Sequence, residues 1–212
     1  MVGLMPVNKL NETTLQHGLA ELCRRDAPLR RVVQERGAPP FWVREPGWRT
    51  LIKIILEQQV SLSSGRAIYR RLATTVRPLT ASRLSSCSIA QLRRAGLTRQ
   101  KAAYCRGLAA AVADNTLNLA SVARQNDEVA RNCLCELKGI GPWTADVYLL
   151  MALRRPDVWP AGDLALIRAI EDLYDIVEAD KQERLVETWR PWRAIAARVL
   201  WHDYLARRGR DI

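Results

Sequence analysis

Two glycines flank one isoleucine in the stretch LKGIGPWTAD, and twenty residues beyond its tryptophan an aspartate stands in WPAGDLAL. Glycine lets a backbone approach a ligand closely and adopt positive φ. A helix beginning at Pro142 would aim its free N–H groups and the positive end of its dipole outward, an arrangement that holds one phosphate group. Proline lacks a donor, so the N–H groups of Gly139, Gly141 and the first helical residues would bind, with Lys138 and Thr144 adding polar contacts and Ile140 turned inward as a brace. The same glycines fit equally well an ordinary tight connection between two helices, closed by a glycine cap. A dinucleotide-binding turn does not fit, because Thr144 stands where its third glycine belongs and the preceding segment is helical.

Asp163 precedes an apolar-periodic run, where aspartate is a favoured helix cap. The helix dipole would also keep its carboxylate ionised in a partly dry cleft, so capping and chemistry are compatible there. The interval from Trp143 to Asp163 suits one helix out and one turn back, which would let the two ends meet over a cleft.

Positioning these residues falls to helices. Apolar residues recur at helical spacing along most of the chain and alternation of period two is scarce, so the fold class is all-α. PGWRTLIKIILEQQ carries Leu51, Ile55 and Gln58 along one face, the turn SLSS follows, and GRAIYRRLA resumes as a helix. Ser88 and Gln91 form a capping box ahead of IAQLRRA, which Gly96 closes, and KAAYCRGLAAAVAD is a further helix. NDEVARNCLCELKG reads as a helix capped near Asn126 and ended by Gly139, and PWTADVYLLMALRR restarts at Pro142 after a four-residue turn. LALIRAIEDLY shows a stripe of Leu164, Ile167, Ile170 and Leu173, and RPWRAIAARVLWHDYLARR is the last helix.

A formal charge of +11 and a pI near 10.0 favour a polyanionic partner, nucleic acid first and an anionic membrane surface second, although a basic surface also serves solubility. Five scattered cysteines lack zinc or disulfide spacing, and Cys133 and Cys135 would point in different directions on a helix. They read as reduced, structural and intracellular. No signal peptide and no membrane-length apolar run occurs, which predicts a soluble protein that is not secreted, cytoplasmic or, in a eukaryote, nuclear. Without repeats or linkers, residues 1–212 are expected to form one compact unit.

Taken in order, ILEQQVS, GLTRQKAAYCRGLA, LKGIGPWTAD, WPAGDLAL and WRPWRAIAARVLW resemble the helix-hairpin-helix DNA glycosylases over roughly residues 45 to 205. Within that superfamily the chain most resembles the 3-methyladenine DNA glycosylase II group, which excises alkylated bases. The resemblance implies two helical lobes with a DNA and base cleft between them. One, residues 50–157, would contain the hairpin at about 127–153; the other, 1–49 plus 158–212, would carry the catalytic aspartate. It implies a monomer acting on damaged double-stranded DNA as a monofunctional glycosylase that starts base excision repair. A non-catalytic helix-hairpin-helix module and a glycosylase for oxidised or mismatched bases are the alternatives.

Position by position, Asp163 matches the catalytic aspartate, which would stabilise the oxocarbenium character of the sugar as the base leaves. Trp143 stands where bifunctional relatives such as endonuclease III carry a nucleophilic lysine, so a lyase step lacks its nucleophile. Trp143 and Trp201, with Tyr148 in support, would line the base pocket and stack on a cationic base. Gln59 matches the position that fills the space left in the duplex, where some relatives have leucine, and Val147 stands where an aromatic can occur. Lys138, Gly139, Ile140, Gly141 and Thr144 would hold DNA. The backbone carbonyls of Cys135, Leu137 and Ile140 match a monovalent cation site, Na+ or K+. No cofactor is implied, and the missing cysteine quartet rules out the iron–sulfur cluster of endonuclease III.

Overall fold

The capping signals decide where most helices begin. In the computed structural model, which describes residues 9–209, Asn11, Ser61, Ser88, Thr98, Asn126 and Asp163 each accept a hydrogen bond from the backbone of the first helical turn that follows. The described residues form thirteen α-helices and no strand, as the periodicity predicts.

The chain divides into two compact units, one formed by residues 44–148 and the other by 1–43 with 149–212. Residues 50–157 were the span expected of the hairpin lobe, so both observed boundaries lie earlier in the chain. The 44–148 unit contains α3 (Trp48–Glu57), α4 (Leu62–Thr75), α5 (Ala81–Ser86), α6 (Ile89–Arg94), α7 (Arg99–Ala113), α8 (Leu119–Val122), α9 (Asp127–Cys135) and most of α10 (Pro142–Met151). Its core helix is α3, whose Leu51, Ile52, Ile54, Ile55 and Leu56 are all buried against α4 and α7. Each such side chain contributes about 1.5–3 kcal/mol relative to exposure.

The other unit contains α1 (Glu12–Arg25), α2 (Ala27–Arg36), the end of α10, α11 (Leu164–Tyr174), α12 (Ala179–Glu187) and α13 (Arg193–Arg207). Here α13 is buried on every side from Ala194 to Trp201 and packs on α1, α2 and α11. Asp26, the cap of α2, also accepts from the Tyr174 hydroxyl at 2.9 Å and the Trp189 indole at 2.8 Å, tying both chain segments of this unit together. Arg198 is fully buried and donates to the carbonyls of Ala194 and Leu150; burial pulls its guanidinium down to about 10.

Three expectations need correction. In SLSS, Ser63 and Ser64 lie in the first turn of α4 rather than in a loop, because the Ser61 hydroxyl caps the helix. Helix α3 stops at Glu57, so Gln58 caps its end instead of extending its apolar face. Leu164 is 75% exposed, and the buried stripe of α11 runs through Leu166, Ala169, Ile170 and Leu173.

Candidate active site

The hairpin belongs to the 44–148 unit. Helix α9 ends at Cys135, residues 136–141 make the turn, and α10 starts at Pro142, so the connection is longer than the four residues expected. Arg131 on α9 and the buried Asp146 on α10 pair at 2.6 Å, which fixes the two helices to each other. Within the turn the Ile140 N–H donates to the Leu137 carbonyl at 3.0 Å and the Ile140 side chain is buried, the brace its position predicts.

The two glycines prove unlike. Gly139 has φ of +95°, and a Cβ there would lie 2.2 Å from Cγ of Tyr104 on α7, so the protein's own packing demands glycine. Gly141 is exposed, has no positive φ, and would present a Cβ to open space. Close approach by a ligand is therefore available at Gly141 and already used internally at Gly139.

Gln58 locks this turn: its side-chain amide donates to the Gly139 carbonyl at 3.0 Å and to the Thr144 hydroxyl at 2.8 Å. Lys101 in turn donates to the carbonyls of Leu56 at 2.7 Å and Gln58 at 2.8 Å, and its partial burial lowers the pKa of its ammonium. Beside it, burial pushes the Cys105 thiol up to about 12. Thr144 is 2% exposed with its hydroxyl engaged by Gln58, so it braces the hairpin rather than facing DNA. Lys138 is exposed at the turn, and Gln59 is exposed at the end of α3 with φ of 56°, a left-handed conformation unusual for a residue with a side chain.

Asp163 belongs to the other unit. A turn over Pro160–Asp163, with Gly162 at φ of +80°, delivers it to the start of α11. Its Oδ1 accepts from the N–H groups of Ala165 at 3.0 Å and Leu166 at 3.1 Å, and from the indole of Trp201 at 3.2 Å. Two helix-terminal donors and one indole thus orient the carboxylate. Trp201 is 6% exposed on α13, and its N–H on Asp163 gives it a positioning role that sequence reasoning did not assign.

Trp143, on the first turn of α10, is half-buried. Tyr148 is 1% exposed, its hydroxyl accepts from the Gly47 N–H at 3.0 Å, and burial raises its phenol; it is a core residue with no face left for a base. Val147 is buried too. His202 is half-buried edge-on to Trp42, and burial, with Arg36 adding to it, lowers its pKa. Among the described residues no three His, Cys, Asp or Glu gather as a metal site, and no helix is long and apolar enough to cross a membrane.

Gln58, Lys101, Tyr104 and Asp146 position the hairpin, a role their sequence stretches do not reveal although each lies within one that carries the resemblance. Their roles depend on partners 15 to 86 residues away in sequence, which periodicity cannot see.

The family model described as HhH-GPD superfamily base excision DNA repair protein matches residues 52–194. YfjP of Bacillus subtilis, provisionally named a DNA-3-methyladenine glycosylase, is 26% identical over 206 residues, covering 91% of this chain and 70% of its own. A DNA-3-methyladenine glycosylase of the same organism is 29% identical over 123 residues, 57% of this chain; the match spans only 40% of that longer protein. The crystal structure of DNA-3-methyladenine glycosidase from Bacillus halodurans superposes with a TM-score of 0.74 at 26% identity, covering 91% of each chain.

Proposed function

The chain belongs to the HhH-GPD superfamily of base excision DNA repair proteins, and from that premise we propose that it is a monofunctional DNA glycosylase. Its substrates are alkylated purines of the 3-methyladenine and 7-methylguanine type in double-stranded DNA, and it acts as a monomer. Relatives named for 3-methyladenine support the substrate class. The observation that carries the reading is the Asp163 carboxylate, held by two helix-terminal N–H groups and the Trp201 indole.

In this reading the hairpin receives one DNA phosphate at Gly141 and the N-terminus of α10, with Lys138 adding charge. The damaged nucleotide leaves the stack at a cost of a few kcal/mol, least for a weakly paired base. Gln59, exposed at the end of α3, fills the gap. Trp143 offers its ring face to the cationic base, whose attraction to a π system exceeds that of a neutral base.

Chemistry then needs little acid. The C1′–N bond breaks with its electron pair moving to the base, which is already cationic and leaves neutral. Positive charge develops on the sugar, where Asp163 stabilises it. Water adds its oxygen to C1′ and releases a proton. Trp143 in place of a lysine leaves no amine for a Schiff base at that position. The carbonyls of Cys135, Leu137 and Ile140 are hard oxygen donors suited to an alkali cation, and Leu137 keeps a lone pair beside its bond from Ile140.

Incubation with methylated duplex DNA should release free 3-methyladenine, and Asp163→Asn should suppress that release. Release at the wild-type rate by the variant would overturn the assignment of Asp163. Tight binding of abasic DNA with no base released from any lesion would make the chain a binding module. Strand breaks without alkali would make it a lyase for oxidised bases.

A further inference from the structure

The positive charge is not spread evenly. The 44–148 unit has sixteen Lys and Arg against seven Asp and Glu, and the other unit seventeen against fifteen. Within the basic unit, residues 58–113 contain ten Lys and Arg and no acidic residue. All nine arginines of that segment are exposed, and among the described residues none pairs with a carboxylate.

Part of this charge converges on a cavity. Arg70 and Arg71 on α4 and Arg94 at the end of α6 line an open hollow of about 510 Å³, with Thr74, Thr75 and Ala95. Both threonine hydroxyls donate back to helix carbonyls, at 3.0 Å and 2.9 Å, so the arginines are its recognition groups. Arg71 is set in place: its Nε donates to the Ala95 carbonyl at 3.2 Å, and its guanidinium lies where a Cβ on Gly96 would come within 2.7 Å. That bond engages one of five guanidinium donors.

We propose that this cavity is a second phosphate site, which takes the sugar–phosphate backbone of duplex DNA outside the lesion. It shares with the proposed function only the premise that DNA is the partner. An acidic peptide would need apolar anchor pockets, whereas the apolar residues lining this hollow are Ala67 and Ala95. Continuity with the hairpin supports one duplex spanning both places. Ala95 leads directly into the Thr98 cap of α7, and Tyr104, against which Gly139 packs, lies about 9 Å of helix rise further on. That rise alone equals about three base pairs of duplex.

The test is the salt dependence of binding to an undamaged duplex, followed by fluorescence anisotropy. Arg70→Ala with Arg94→Ala should lower the slope of log Kd against log salt by about 2, near 0.9 for each phosphate no longer neutralised. Arg70→Lys with Arg94→Lys should keep most of the slope, which also guards against an unfolded variant. Arg83→Ala with Arg106→Ala removes equal charge from the same acid-free segment outside the cavity and should change the slope less. Equal loss from both pairs would reduce the effect to diffuse charge and overturn the site, as would no loss from either. Slope loss without base release from any lesion would sink the glycosylase reading and leave this one standing; base release with an unchanged slope would do the reverse.

Discussion

The two units use arginine in opposite ways. In the unit formed by 1–43 and 149–212, Arg36, Arg168, Arg184, Arg190 and Arg193 each meet a carboxylate, at 2.5 to 3.0 Å. The exposed pairs among them, Arg168–Glu171 and Arg184–Asp180, contribute about 0–1 kcal/mol apiece, and all of them cancel charge locally. In the 44–148 unit Arg131–Asp146 fastens α9 to α10 and Arg44–Glu57 ties the segment before α3 to that helix's end, and the arginines from 66 to 106 are left to face solvent. One unit thus settles its charge internally and positions a carboxylate with N–H donors. The other leaves its arginines from 66 to 106 exposed and, on the proposed function, would offer them and the hairpin turn to DNA phosphates. On the proposed function, chemistry and grip would fall to different parts of the chain, a division that variants can break or sharpen.

The largest effect is expected from Asp163→Asn, which should slow base release by roughly 100-fold or more while leaving duplex affinity unchanged. Asparagine caps a helix as well as aspartate does, so the melting temperature should hold. A parallel loss of affinity would show that the carboxylate unit also grips DNA.

Next come the two glycines, compared by urea denaturation and DNA binding. Gly139→Ala meets both a left-handed φ and the Tyr104 ring, and should cost about 2–5 kcal/mol of stability. Gly141→Ala should change stability by less than about 0.5 kcal/mol yet weaken DNA binding, because only there is the backbone open to a ligand. The opposite ranking would place the phosphate at Gly139.

Trp201→Phe keeps a ring but removes the N–H that Asp163 accepts. A hydrogen bond to a charged group is worth about 1.5 kcal/mol, so kcat should fall about tenfold with KM unchanged. A rise in KM instead would make Trp201 a base contact.

The smallest effect concerns pH. Burial lowers the His202 pKa below its usual 6.5. The folded chain then resists a proton that the unfolded chain accepts, so stability should be complete above 6.5 and fall as pH drops below it through the folded value. Denaturation midpoints measured from pH 7.5 to 5 should show a decline that His202→Leu flattens; an equal decline in the variant would move its cause elsewhere.

What the sequence could disclose was set by range. Caps act over three residues, so Ser88 with Gln91, Asn126 and Asp163 were legible, and α11 begins and ends where its pattern predicts. Helices α5 and α8 are too short for a periodic signal, and α12 buries little beyond Gln182 and Val186. The glycines were visible as a pair, but what separates them is a ring at position 104. Thr144 and Tyr148 read as contacts because their types suit ligands, and burial shows their polar atoms to be engaged within the protein. The indole on Asp163 comes from 38 residues away, beyond any local pattern.

The carboxylate unit is also discontinuous in sequence, with the 44–148 unit inserted within it. During synthesis the inserted unit emerges whole before the segment that completes its neighbour, and domains fold as they emerge. Leu10 must wait for the Arg154 carbonyl, Arg25 for those of Trp189 and Arg190, and Asp163 for Trp201. A ribosome-bound chain would therefore hold a formed hairpin well before it held an oriented carboxylate, and bond-breaking capacity would arrive last, with α13.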